Sequence, residues 1–138
     1  MKKIIFLIIT MIALMLVSCS YAKDDPISLA KNYDEKGYEV ELIVDNEEIN
    51  DFADEVEIKG KAIYCLVAVT PNDGEDQEKM GVYIYCNDND SAIKMEEDLE
   101  EFVSNNEDYF REDIIRLTVN RKNNVVFIGS ENAWEDNQ

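Results

Sequence analysis

Lys61–Thr70 reads KAIYCLVAVT and Met80–Cys86 reads MGVYIYC, with PNDGEDQ (Pro71–Gln77) between them. Both flanking runs are rich in β-branched, aromatic and aliphatic residues, and the segment between them is turn chemistry, so the three together predict an antiparallel hairpin with a long loop. Alternation puts Ile63, Cys65, Val67 and Val69 on one face of the first strand, and Val82, Ile84 and Cys86 on one face of the second. Residues opposed in an antiparallel pair have a constant number sum. Cys65 with Cys86, Val67 with Ile84 and Val69 with Val82 all add to 151, which sets the two cysteines opposite each other. In that register a disulfide would close the loop and contribute on the order of 3 kcal/mol; in the alternative, both are small buried hydrophobes or the register is shifted by two. The other face of the hairpin carries Tyr64, Tyr83 and Tyr85 with Leu66 and Ala68. Left open beside acids, those tyrosines would form a recognition face; the alternative is that the tail around Trp134, or the 45–60 segment, packs over them.

The flanking elements follow from the same reasoning. Pro26 can open a helix over 27–36, with Ile27, Ala30 and Tyr33 on one face and Gly37 as its stop. YEVELIV (Tyr38–Val44) alternates as a half-buried strand, and DNEEINDFADEVEIKG (Asp45–Gly60) reads as a loop with a short helical turn carrying Ile49 and Phe52. The main helix is expected over 90–104, with caps from Asp88–Ser91 and an inward stripe of Ala92, Met95, Leu99, Phe102 and Val103. Its other face is acidic, and Glu97 and Glu101 repel each other one turn apart. A second hairpin is expected from strands near 114–120 and 125–129 turning at Lys122 and Asn123, and Ser130 can cap a short helix docking Ala133 and Trp134. This order predicts an α+β fold, a two-layer sandwich with a mostly antiparallel sheet of about five strands and the two main helices on one face.

The amino terminus carries a different signal. Lys2 and Lys3 precede Ile4–Val17, fourteen residues in which Thr10 is the only polar side chain. A bilayer-spanning helix needs roughly 20 apolar residues, so the run fits a cleaved export signal. Leu16-Val17-Ser18-Cys19 resembles the lipobox of bacterial lipoprotein signal peptides, and the resemblance covers residues 1–19. It implies that Cys19 becomes the first mature residue with diacylglycerol on its sulfur. Multiple acyl chains, at about 0.8 kcal/mol per buried methylene, hold a protein on a membrane where one chain does not. The domains expected are therefore 1–18 as signal peptide, 19–26 as a lipid-anchored tether reaching at most about 25 Å, and 27–138 as one α+β domain. In layout the mature part loosely resembles small exported lipoproteins of unknown function, which implies no active site.

Charge and missing residue types narrow the function. Residues 1–18 hold two of the 13 basic and none of the 31 acidic side chains, which leaves 11 against 31 and a net charge of −20 on the mature chain. That field repels phosphate backbones, so nucleic acid is not an expected partner. Histidine is absent, which removes the usual general base and the commonest metal ligand. The glycines at 37, 60, 74, 81 and 129 are too scattered for a phosphate-cradling loop. NDGED (Asn72–Asp76) and NDND (Asn87–Asp90) lack the spacing of an EF-hand loop, and Cys65 and Cys86 do not form a zinc site by spacing. The expectation is a non-catalytic lipoprotein, without cofactor or metal, anchored through Cys19 on the extracytoplasmic side of a cell membrane, the outer or inner one in a two-membrane host. Its domain binds a protein or envelope component. The competing reading is a small-ligand or divalent-cation module, with calcium as the cation.

Overall fold

A computed structural model describes residues 25–59, 62–71, 79–107 and 117–137. The first helix, α1, spans Pro26–Glu35. Its Asp25 cap accepts hydrogen bonds from the Ile27 and Ser28 amides at 2.9 and 3.1 Å, satisfying donors that a helix start leaves without partners. Gly37, at φ +86°, turns the chain into β1, Tyr38–Ile43. A β-carbon is disfavoured in that left-handed region, which explains the glycine.

Asp45–Gly60 departs from expectation. It contains a ten-residue helix, α2, Asn46–Glu55, capped by the Asp45 carboxylate on the Glu47 and Glu48 amides. Ile49, Phe52, Ala53 and Val56 make a stripe at helical spacing, but five acids in ten residues mask it. A helix this short is marginal alone and forms because its stripe is packed. It ends with Glu57 at φ +59° and with Ile58 donating to the Ala53 carbonyl at 2.8 Å, a Schellman closure.

β2 (Ile63–Pro71), β3 (Gly81–Cys86), α3 (Asn89–Asn105), β4 (Leu117–Lys122), β5 (Val125–Ser130) and α4 (Glu131–Glu135) follow. The second hairpin turns at Asn123 and Asn124, one residue later than expected, with Asn123 at φ +55°. Residues 114–116, expected in its first strand, lie outside the described residues. The five strands form one antiparallel sheet in the order β1-β2-β3-β5-β4. The fold is α+β, as expected.

Two finer expectations are corrected. The β2–β3 register is shifted by one: Cys65 faces Tyr85, Val67 faces Tyr83, Val69 faces Gly81 and Ile63 faces Cys86, with an irregularity between Ile63 and Cys65. A one-residue slip exchanges the faces of a strand. Tyr83 and Tyr85 therefore join Cys65, Val67 and Val69 in one core, while Ile84 and Cys86 join Leu66 in another. The two main helices also lie on opposite faces rather than one. α1 and α4 cover the tyrosine side, α2 and α3 cover the other, and the molecule has three layers. The reason is visible in β5, where every residue is buried: Val125 and Phe127 enter one core, Val126 and Ile128 the other. Burying such a side chain contributes about 1.5–3 kcal/mol, so a strand apolar on both sides needs cover on both.

Across β3 and β5, Gly81 pairs with Gly129. The Phe127 ring lies over this pair, with its atoms 2.3 and 2.5 Å from where a Gly81 β-carbon would sit. At the opposite end of the sheet β1 and β3 finish and β2 and β5 begin. α2 and α3 start from that end because they follow β1 and β3, and α1, which runs back to β1, starts there too.

Candidate functional site

Tyr64, Tyr83 and Tyr85 do not form one open face. Tyr64 is 46 % exposed, whereas Tyr83 and Tyr85 are 2 % and 1 % exposed. Of the two expected covers, the tail helix is the one that closes: Trp134 of α4 stacks on Tyr83 at a ring separation of 6.1 Å, and α2 with Val56 and Ile58 packs on the other side of the sheet. α1 supplies Tyr33, which meets Tyr83 at 5.7 Å and Tyr38 edge-on at 4.9 Å.

The buried hydroxyls are used to tie the carboxyl-terminal segment down. Tyr33 donates to the Ala133 carbonyl at 2.5 Å. With its single proton committed there, Tyr33 accepts from the Tyr83 hydroxyl at 2.6 Å. Tyr38 donates to the Asp136 carboxylate, and the Asn32 amide donates to Asn137 at 3.1 Å. Burial, together with the neighbouring tyrosine, pushes the Tyr33 hydroxyl far above its ordinary range; burial does the same for Tyr83. These phenols are neutral structural groups at any physiological pH.

The cysteines are likewise separated. Cys65 lies in the tyrosine-side core and Cys86 in the α2/α3 core, so the sheet stands between them and both are free thiols. Expected as a facing pair, they are parted by the one-residue register shift. Burial pushes Cys65 up to about 12 and, with Asp88 nearby, Cys86 up to about 11. The thiolate is the nucleophile and the ligand, so neither sulfur is poised for such chemistry. Cys19 and the NDGED stretch at 72–76 lie outside the described residues.

Within NDND, Asp88 caps α3 by accepting from the Ser91 amide at 2.7 Å. Those hydrogen bonds from Ser91 hold its carboxyl below the usual range. Among the described residues no group of three or more Cys, Asp or Glu side chains is placed to hold a metal ion. None of their helices is long and apolar enough to cross a membrane.

One concavity went unnoticed in the sequence. An open groove of about 250 Å³ lies between α3 and the edge strand β4, lined by Glu100, Val103, Ser104, Glu107 and Val119. The signal for its α3 side was the helical spacing of 100, 103 and 104. Beside the groove, Arg121 of β4 pairs with Glu96 of α3 at 2.8 Å. No protein-family model, no curated protein and no solved structure matches the chain.

Proposed function

We propose that the chain is a lipoprotein held on the extracytoplasmic face of a cell membrane through diacylglycerol on Cys19, and that its domain is a non-catalytic binding module for a protein or envelope component. The observation that carries this reading is Leu16-Val17-Ser18-Cys19 placed directly after the apolar run Ile4–Val17 and before a polar, acidic chain. A charge of −20 on the mature chain favours partners that present lysine or arginine and speeds their encounter. The α3/β4 groove suits such a partner, since an aliphatic stem can lie on Val103 and Val119 while its charge reaches Glu100 or Glu107.

The test is made on the full-length protein extracted gently from membranes. Mass spectrometry of the amino-terminal peptide should show a lipid-modified Cys19, and a Cys19→Ala chain should remain unprocessed. Crosslinking in intact cells should then capture a partner whose recovery falls with rising salt and with Glu100→Lys. An unmodified Cys19 would sink the anchoring half, and capture indifferent to both salt and Glu100 would sink the binding half.

A further inference from the structure

Among the described residues the large hydrophobic side chains left most exposed are Val44, Tyr64 and Ile93, at 48, 46 and 43 %. They come from three elements far apart in sequence but from one end of the sheet. Val44 directly follows β1, whose last residue pairs with Leu66. Tyr64 is the second residue of β2. Ile93 begins the second turn of α3, which starts just after β3 ends.

The same end receives the chain from its amino terminus. Asp25 caps α1 there, close enough to Tyr64 for its charge to act on the phenol. Six residue steps separate Cys19 from Asp25, a reach of roughly 20 Å at full extension. Any lipid on Cys19 therefore keeps this end of the domain within about 20 Å of the bilayer. The end with Gly37, Gly81 and Ser130 lies a strand's length farther away.

We propose that the end of the sheet bearing Val44, Tyr64 and Ile93 faces the bilayer and rests these side chains in its interface. This rests on the anchoring reading above. Tyrosine is suited to that position, because its ring takes the apolar side and its hydroxyl stays among the headgroups. Asp25, Asp45 and Asp88 also lie at this end, each accepting amide hydrogen bonds at a helix start. Their charge makes an uncharged or zwitterionic headgroup layer the fitting surface rather than an anionic one. The consequence is orientation: the α3/β4 groove and the far end of the sheet point away from the membrane, toward a partner.

The experiment uses lipidated full-length protein reconstituted in phosphatidylcholine vesicles, with and without bromine on the upper acyl carbons as a contact quencher. Tyr64→Trp, Val44→Trp and Ile93→Trp each add one indole at this end, and native Trp134, on α4, is the internal reference. Bromolipid should lower the added indole's emission roughly twofold, the depth expected of an interfacial side chain, while wild-type emission barely changes. Three independent positions guard against one variant failing to fold, which its melting curve would reveal. Quenching no greater than for wild type, with lipid on Cys19 verified by mass, overturns the orientation and leaves the anchoring intact. A Cys19 without lipid removes both.

Discussion

The hydroxyl oxygens of Tyr33 in α1 and Tyr83 in β3 lie 2.6 Å apart, fifty residues separated in sequence, in the middle of an aromatic layer closed by Trp134. Because Tyr33 also donates to Ala133, this one phenol joins the first helix, the central strand and the carboxyl-terminal helix.

Tyr33→Phe should accordingly cost more than Tyr83→Phe. The first leaves the Ala133 carbonyl without its donor and the Tyr83 hydroxyl without the acceptor of its proton, a loss of about 2 kcal/mol, and the second about 1 kcal/mol. Urea unfolding followed by Trp134 fluorescence measures both. Equal effects, or a Tyr33→Phe change within error of zero, would show that the bridge is not holding α4.

Alkaline pH should unfold the domain earlier than ordinary side chains would suggest. Cys65, Cys86, Tyr33 and Tyr83 all have folded values raised above their ordinary 9 and 10. The unfolded chain therefore loses these protons first. Stability is complete below about pH 9 and falls above it, by up to about 1.4 kcal/mol per pH unit for each group titrating in the unfolded chain only. Melting temperatures between pH 7 and 11 test this, and a flat profile to pH 11 contradicts it.

Both domain thiols should be free and shielded. Without reductant, Cys65 and Cys86 should resist iodoacetamide in the native protein and each take one label in denaturant, as read by intact mass. Dithiothreitol should leave the melting temperature unchanged; a drop would mean that a disulfide bond exists.

Gly129→Ala should destabilise strongly. Its β-carbon would sit 2.4 Å from both the Gly81 Cα and the Met80 carbonyl oxygen, backbone atoms that cannot swing aside. Overpacking against backbone between β3 and β5 should cost about 3 kcal/mol. Thermal unfolding within a degree of wild type would mean that the two strands part easily.

Moderate salt should stabilise the fold. With Glu97 and Glu101 repelling on α3 and a net charge of −18 on the whole chain, going from about 10 to about 150 mM salt should raise the melting temperature by screening. A fall across that range would point to attractive pairs such as Arg121–Glu96 as the larger effect.

The elements themselves were largely written in local sequence. Pro26 at a helix start, Gly37 before an alternating strand and Asp88 before a helical stripe each set a boundary through backbone preference or bonds to near neighbours, so α1, β1 and α3 were found to within a residue or two. Leu16-Val17-Ser18-Cys19 is also a contiguous pattern, and the anchoring drawn from it is the proposal above. Tertiary structure alone decided the β2–β3 register, the placing of α1 and α3 on opposite faces, and the existence of α2. In runs such as AIYCLVAV and VVFI both faces are apolar, so alternation cannot say which side a helix will cover, and a slip of one residue looks equally hydrophobic. Covering both faces settles that choice. It buried Tyr83 and Tyr85, parted Cys65 from Cys86 and left Tyr64 exposed.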